Sequence, residues 1–173
     1  MRVLLIDINP SMAPVTPISL GNLGAVLKED GREVEVISLG SNSRFSPRGL
    51  ADYLRKHRPR LVGFGTYQEN ILHVRAIARI VKRVLPESRV VLGGPQATFM
   101  PDAALSAMPE IDYVSRGEGE LVIRAVADAV DGGVREQPIA GATSRTSEGE
   151  CITESCVIPS FNLSFGYFFG GGS

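Results

Sequence analysis

Residues 90–98 read Val-Val-Leu-Gly-Gly-Pro-Gln-Ala-Thr, an apolar run that stops abruptly at two glycines and a proline. A continuous apolar run is typical of a parallel strand that is buried on both faces. Paired glycines at the end of such a strand leave room for another group close to the backbone. Because ligands in open α/β sheets bind outside the carboxyl ends of the strands, this stretch predicts a buried strand that ends at a binding site.

Similar runs alternate with helical patterns on both sides of this stretch. The predicted strands are Arg2–Ile8, Glu33–Leu39, Leu61–Thr66, Arg89–Leu92 and Tyr113–Ser115. Apolar residues at three- and four-residue spacing predict five helices, which end near Asp30, His57, Leu85, Met108 and Asp131. Ser46 and Asn70 are the predicted N-caps of the second and third helices. The alternation predicts a doubly wound, flavodoxin-like or Rossmann-like α/β fold: a five-stranded parallel sheet in the order 2-1-3-4-5, with helices on both faces.

The pattern changes after Gly132. Ile139–Ser144 and Glu150–Thr153 predict a small hairpin, and the chain then becomes aromatic-rich and ends in Gly-Gly-Gly-Ser. We therefore expect an α/β domain over residues 1–135, a hairpin or linker extension over 136–160, and a truncated or artificially added tail over 161–173.

The composition excludes several classes of function. The chain has 173 residues, and its 18 Lys and Arg residues against 19 Asp and Glu give a net charge of −1, so a nucleic-acid partner is not expected. No apolar run approaches the roughly 18 residues of a membrane span. With two cysteines and no signal peptide, we expect a cytoplasmic protein without a disulfide framework.

Four polar and glycine-rich segments follow the predicted strands. They are Asp7–Thr16, Gly65–Asn70, Gly93–Thr98 and Arg116–Glu120. The carboxyl ends of parallel strands share one edge of the sheet, so these segments should form one broad cleft, which could hold an amide, a phosphate or a larger ligand.

Three of the motifs together resemble a known family. Leu61-Val-Gly-Phe-Gly-Thr, Val91-Leu-Gly-Gly-Pro-Gln-Ala-Thr and Asp112-Tyr-Val-Ser-Arg-Gly-Glu-Gly-Glu are similar in order and spacing to the cobalamin-binding domain at the amino end of cobalamin-dependent radical SAM enzymes, among them methyltransferases and cyclases. The resemblance covers residues 1 to about 135, and Ala142–Thr153 resembles the short hairpin that often follows.

The resemblance implies a corrin ring across the carboxyl ends of the strands, with its nucleotide tail running down into the domain. Segments 65–70 and 93–96 would flank the tail, whereas 9–19 and 116–118 would lie nearer the ring. Replacing Gly94 by leucine should then abolish cofactor uptake and leave the fold intact. The candidate cofactor-binding residues are Asn9, Pro10, Ser11, Thr16, Ser19, Gly65, Thr66, Tyr67, Gln68, Asn70, Gly93, Gly94, Pro95, Gln96, Arg116, Gly117 and Glu118.

The segment after the first strand departs from related cobalamin domains. Those of the mutase and methionine-synthase type carry Asp-x-His-x-x-Gly, whose histidine ligates cobalt, but this chain has Asp7-Ile-Asn-Pro-Ser-Met. His57 falls at the end of a helix and His73 inside the first turn of another, so neither is well placed to substitute. The resemblance therefore implies cobalamin with no histidine below the cobalt and no metal ligand from protein side chains.

Radical SAM chemistry needs three cysteines for its iron–sulfur cluster, whereas Cys151 and Cys156 form only a C-x4-C pair. The cluster and S-adenosylmethionine would belong to a missing downstream domain, in cis or in trans. We expect no catalysis from this chain alone.

The alternative is a flavodoxin-like domain that binds FMN or another nucleotide, or a signalling domain. Ser11 and Thr16 could hold a phosphate, but Tyr67 is the one aromatic residue well placed to stack on a flavin. A receiver domain would need paired acids where Asp7 stands alone, and a lysine where the chain has Arg116.

Overall fold

The fold is taken from a computed structural model, which describes residues 1–9, 17–40, 46–99, 101–134, 137–146 and 151–153. Its strands are β1 (Arg2–Asn9), β2 (Glu33–Gly40), β3 (Leu61–Gly65), β4 (Arg89–Gly93), β5 (Tyr113–Ser115), β6 (Ala142–Arg145) and β7 (Cys151–Thr153). Its helices are α1 (Ile18–Glu29), α2 (Pro47–His57), α3 (Ile71–Val84), α4 (Pro95–Phe99), α5 (Pro101–Ala107) and α6 (Gly119–Asp131).

The strands form one sheet in the order β2-β1-β3-β4-β5-β6-β7. The first five are parallel, which confirms the predicted order 2-1-3-4-5. The predicted hairpin is also present, but β6 pairs antiparallel with β5 and so extends the sheet to seven strands. The physical reason is that β5 has only three residues, and its outer edge would otherwise present unpaired backbone groups.

The helix termini show where local sequence determines structure. Gly49 donates its N–H to Ser46 Oγ at 3.1 Å, which confirms Ser46 as the cap of α2. The α4 helix was not expected, because five residues are too few to show a helical period. It begins at Pro95, directly after the glycine pair, and proline favours the first helical position.

Alternation along the strands divides the core into two layers. One layer packs against α2, α3 and α5 and contains Leu4, Ile6, Phe64 and Leu92. The other layer faces α1 and α6 and contains Val3, Leu5, Leu61, Val91 and Tyr113. Burial in this layer raises the pKa of the Tyr113 phenol above its usual value. Helices therefore cover both faces, as predicted. None of the described helices has the length and apolar character needed to cross a bilayer.

Asp112 joins three elements at the amino edge of the sheet. Its Oδ2 accepts hydrogen bonds from Lys82 Nζ at 2.7 Å and from the Val90 N–H at 2.8 Å, and its Oδ1 accepts from Arg89 at 2.6 Å. The Asp112 side chain is only 16% exposed. These bonds connect α3 and β4 to the start of β5, so we expect them to stabilise the sheet at its centre.

We predict that Asp112→Asn lowers the free energy of unfolding by about 2 kcal/mol, because two cations lose a largely buried carboxylate. Asp52→Asn is the matched control: Asp52 pairs with Arg55 one helical turn away, and both side chains are more than 60% exposed. The control should cost no more than about 0.5 kcal/mol. Urea unfolding followed by circular dichroism measures both, and equal losses would contradict the role given to Asp112.

Candidate functional site

The loops that follow β3 and β4 are bonded to each other through Thr66. The Thr66 N–H and its Oγ1 both donate to the Gly93 carbonyl, at 2.8 and 2.6 Å. The Thr66 carbonyl in turn accepts the Gln96 N–H at 3.4 Å. Thr66 is fully buried. The two loops therefore form one rigid unit at the carboxyl edge of the sheet.

Gly94 is required by this unit. Its φ is +95°, and a Cβ there would lie 2.6 Å from the Thr66 carbonyl oxygen and 2.9 Å from the Thr66 nitrogen. Real Cβ atoms do not come so close to backbone, and L side chains disfavour this φ. The expectation that leucine at position 94 leaves the fold intact is therefore wrong, because the side chain would disrupt the edge itself.

Asn70 ties the same unit to β1. Its Nδ2 donates to the carbonyls of Ile8 at 3.1 Å and Gly65 at 3.0 Å, and its Oδ1 accepts the Tyr67 N–H at 2.8 Å. Asn70 does occupy the cap position of α3, as predicted, but its side chain makes no capping bond to that helix. It instead holds the ends of β1 and β3 together.

A cavity of about 240 Å³ lies beside this unit, between the sheet and helices α1 and α6. Its walls are mainly aliphatic side chains and glycines, with Ser19, Ser115, Tyr67 and Glu120 as the polar side chains among the described lining residues. The remaining lining residues are Leu5, Leu20, Leu23, Gly63, Phe64, Gly65, Val91, Gly93, Gly94, Pro95, Gly117, Gly119 and Ile123. The cavity suits a largely apolar group with a few hydrogen-bonding atoms.

Three of the glycines leave this space open. A Cβ on Gly93 would have Ser115 Cβ as its nearest neighbour at 4.0 Å, and one on Gly65 would lie 3.9 Å from a ring atom of Tyr67. Gly117, at φ +72°, would meet nothing within 4 Å. Unlike Gly94, therefore, these glycines keep room for an external group.

Ser115 places a buried hydroxyl in the cavity wall. It is the last residue of β5 and is 6% exposed. Within the described part of the chain, its Oγ has no hydrogen-bond partner. A buried hydroxyl without a partner is unfavourable, so a ligand atom at this position would satisfy it.

Exposed apolar side chains surround the same edge. Ile18, Leu72 and Leu121 stand in the first turns of α1, α3 and α6, and Phe99 ends α4. They are 70–82% exposed. We call these four residues the apolar rim. Apolar residues grouped in this way indicate a surface that contacts a ligand or another protein surface.

The structure brings together seven of the seventeen predicted site residues in the cavity wall: Ser19, Gly65, Tyr67, Gly93, Gly94, Pro95 and Gly117. Thr66 and Asn70 lie beneath them and shape the edge through their hydrogen bonds. Asn9, Gln68, Arg116 and Glu118 are at the edge but outside the described cavity wall. Pro10, Ser11 and Thr16 lie outside the described residues.

Gln96 is separated from the others. It lines a second groove, of about 230 Å³, which lies between α3 and the pair α4 and α5 on the opposite face of the sheet. The chain turns into α4 directly after Gly94, and this turn carries Gln96 away from the cavity. The expectation that Gln96 flanks the same space as Gly93 therefore does not match its position.

Sequence reasoning missed the deeper part of the cavity. Leu5, Gly63 and Val91 are register partners on three adjacent strands, so they lie in a row on the face towards α1 and α6. The available signal was Gly63, a glycine between apolar residues in the middle of a buried strand. Ser115 and Ile123 were also missed, whereas Gly119 and Glu120 belong to the segment Arg116–Glu120 that was expected at the cleft.

Both histidines and Cys151 lie away from the cavity. His57 ends α2 at the amino edge, where its ring stacks on Tyr53 at 4.2 Å. His73 is exposed on α3, which covers the opposite face. Cys151 is exposed on β7, and Cys156 lies outside the described residues. Among the described residues, no group of three or more His, Cys, Asp or Glu side chains could hold a metal ion.

The sequence profile of the B12 binding domain matches residues 6–127. Over 126 residues the chain is 32% identical to an uncharacterized methyltransferase of Pyrococcus horikoshii, covering 72% of this chain and 27% of that protein. It is 27% identical over 154 residues to the cytidylyl-2-hydroxyethylphosphonate methyltransferase of Streptomyces wedmorensis, covering 78% of this chain and 28% of that protein.

A solved structure is also similar to this chain. The radical S-adenosylmethionine methyltransferase TsrM of Kitasatospora setae, solved with cobalamin and a [4Fe-4S] cluster bound, superposes with a TM-score of 0.78 at 26% identity. The match covers 91% of this chain and 29% of that one. The chain thus spans less than a third of the length of each of these proteins.

We predict that Asn70→Asp loosens the edge, because a carboxylate in place of the amide would face the carbonyl oxygens of Ile8 and Gly65. The loss should be about 2–3 kcal/mol of unfolding free energy. Gln68→Glu, the same chemical change at an exposed neighbour, is the control and should cost less than about 0.5 kcal/mol. Denaturant unfolding compares the two variants, and an unaffected Asn70→Asp would show that the amide does not hold the edge.

Proposed function

Because the chain belongs to the B12 binding domain family, whose cofactor is cobalamin, we propose that it is the cobalamin-holding part of a cobalamin-dependent radical SAM methyltransferase or cyclase. The observation that carries this proposal is the glycine-lined cavity at the carboxyl edge of the sheet. When bound, cobalamin supplies a cobalt centre that can accept and give up a methyl group. The chain's own residues hold and orient the cofactor.

The cavity fits part of cobalamin. Its volume of about 240 Å³ is below the roughly 300–1,000 Å³ typical of a complete small-molecule site, so it can take the nucleotide tail and not the corrin ring. Aliphatic side chains such as Leu5, Val91 and Ile123 suit the aromatic base of the tail, and Ser115 offers a hydrogen bond. We place the tail there, flanked by Gly65 and Gly93.

The corrin ring would then lie over the edge itself. Gly117 leaves open space there, and Tyr67 is 42% exposed. Ile18 and Leu121 of the apolar rim stand in the first turns of α1 and α6, the helices on the cavity side, and would contact the periphery of the ring or a protein surface above it. Arg116 and Glu118 follow β5 directly and stand on the same side. In this arrangement the chain covers one face of the corrin and leaves the other to the rest of the protein.

We propose that no histidine of this chain ligates the cobalt. Asn9 stands where the Asp-x-His motif of other cobalamin domains has its ligand. His57 is at the opposite edge of the sheet, and His73 is on the helix that covers the other face. A cobalt without a protein nitrogen ligand gives up a methyl group differently from one that has such a ligand, and this is how the protein would tune its cofactor.

The remaining chemistry is assigned to a further domain. The relatives with methyltransferase names are more than three times as long as the region that matches this chain. We propose that a radical SAM domain, in cis or in trans, holds the iron–sulfur cluster and S-adenosylmethionine and supplies the substrate site. A flavin-binding domain is the alternative, and the first experiment below distinguishes the two.

Valine at position 93 is predicted to fill the cavity without striking backbone, because a Cβ there has 4.0 Å of clearance. After incubation with hydroxocobalamin and removal of free cofactor, the unsubstituted protein should retain corrin absorbance at a near-equimolar ratio. Gly93→Val should retain less than a tenth of it. Gly132→Val, at the amino edge after α6, is the matched control and should bind normally. A protein that shows no corrin absorbance and instead retains FMN after incubation with it would favour the flavin alternative.

Electron paramagnetic resonance of the bound cofactor, reduced to cob(II)alamin, tests the cobalt ligand. The unsubstituted protein should show no splitting from a coordinated nitrogen, and His73→Asn should leave its spectrum unchanged. Asn9→His restores the Asp-x-His spacing after β1 and is expected to introduce nitrogen splitting. Nitrogen splitting in the unsubstituted protein that persists in His73→Asn would mean that the nucleotide base is on the cobalt, which would contradict its placement in the cavity.

A further inference from the structure

Ser115 differs from three other buried or paired hydroxyl positions of the described chain. Ser88 donates to the Pro59 carbonyl at 2.6 Å, Thr66 donates to Gly93, and the hydroxyls of Thr143 and Thr153 are 3.1 Å apart. Within the described residues, Ser115 alone among the serines and threonines has a buried Oγ without a partner. Its hydroxyl is therefore available to a ligand atom that enters the cavity.

The position of Ser115 is fixed by the sheet. Its backbone pairs with Ala142 of β6, and the following residue, Arg116, donates its N–H to the Gly141 carbonyl at 2.8 Å. On the other side, Gly93 of β4 has no side chain, and its missing Cβ would be 4.0 Å from Ser115 Cβ. The absent side chain at position 93 thus leaves the serine facing open cavity space.

The surroundings of Ser115 restrict the kind of ligand group that can form a hydrogen bond with its hydroxyl. The cavity wall next to the sheet consists of Leu5, Val91 and glycines, and the wall formed by α6 includes Ile123. Ser19 and Tyr67 are exposed, and Glu120, the other polar residue of the described wall, is half-buried in the first turn of α6. A group that enters the cavity would therefore be mainly apolar and would carry a hydrogen-bonding atom where it meets Ser115.

We propose that Ser115 is a specificity residue that hydrogen-bonds the nucleotide tail of cobalamin and makes the site prefer complete cobalamin to corrinoids that lack the tail. A serine hydroxyl both donates and accepts, so it can pair with a ring nitrogen, a ribose hydroxyl or a phosphate oxygen of the tail. This inference rests on the proposed function, because it requires that the tail enters the cavity.

The experiment compares two ligands on the same protein. Hydroxocobalamin carries the nucleotide tail, whereas diaquacobinamide has the same corrin ring without it. Equilibrium dialysis with absorbance detection gives a dissociation constant for each. Ser115→Ala should weaken hydroxocobalamin binding about tenfold and leave cobinamide binding unchanged, because only the tail loses a hydrogen bond. Ser115→Cys replaces the hydroxyl by a weaker hydrogen-bonding thiol and should weaken hydroxocobalamin binding to an intermediate degree.

The melting temperature of the cofactor-free protein is a second measurement. If Ser115 served only to stabilise the fold, Ser115→Ala would lower this temperature. Ser115→Ala removes an unsatisfied buried hydroxyl, so its melting temperature should rise or stay the same. Ser88→Ala, the control, loses its bond to Pro59 and should melt lower while keeping both affinities.

The possible outcomes distinguish a failure of the role proposed for Ser115 from a failure of cobalamin binding itself. Equal weakening of both ligands, or no weakening of either, in Ser115→Ala would overturn the role of Ser115 and leave cobalamin binding standing. Cobinamide binding as tight as hydroxocobalamin binding in the unsubstituted protein would also overturn it. If the unsubstituted protein binds neither ligand, the proposed function itself is wrong, and the inference falls with it.

Discussion

The contact between Gly94 and the Thr66 peptide is the constraint on which the site depends. A glycine at φ +95° lets the chain after β4 pass within van der Waals distance of the chain after β3, and the hydrogen bonds of Thr66 to Gly93 then fix that approach. The turn sends the chain into α4 towards the opposite face of the sheet. Since α4 leaves in that direction, the space above Gly65 and Gly93 stays free. The cavity is thus a consequence of where the backbone turns.

The two faces of the sheet are packed differently for a related reason. On one face, Leu4, Ile6, Phe64 and Leu92 form a continuous layer beneath α2 and α3. On the other face β3 contributes Gly63, and the side chains of Leu5 and Val91 close over it, since a Cβ there would lie 2.7 Å from Leu5 Cδ2. Helices α1 and α6 cover this face, and the cavity lies between them and the carboxyl ends of the strands. A parallel sheet with one closed face and one incompletely filled face can hold a ligand without losing its core.

Much of this could be predicted from the sequence, and the failures have physical reasons. Strand order and the cap at Ser46 follow from local patterns, since alternation and a capping serine act within a few residues. Contacts between distant segments determine three features that were not predicted: the α4 helix, the pairing of β6 with β5, and the position of Gln96 on the opposite face from the cavity. The sequence predicts that Gly94 leaves room for a cofactor. The structure shows that Gly94 instead leaves room for the Thr66 peptide, which a side chain at position 94 would strike.

Unfavourable features are concentrated at one edge of the sheet and stabilising ones at the other. The amino edge carries the bonds of Asp112 and a second network in which Arg32 pairs with Asp30 at 3.0 Å and with Asp131 at 3.5 Å. The carboxyl edge carries an unsatisfied hydroxyl, open glycines and the exposed apolar rim. A cofactor with a large apolar ring and a hydrogen-bonding tail would fill the space at these glycines, give the Ser115 hydroxyl a partner and cover exposed apolar side chains. Because such a cofactor binds only the folded domain, its binding should stabilise the carboxyl edge, where the described chain itself supplies fewer bonds than at the amino edge.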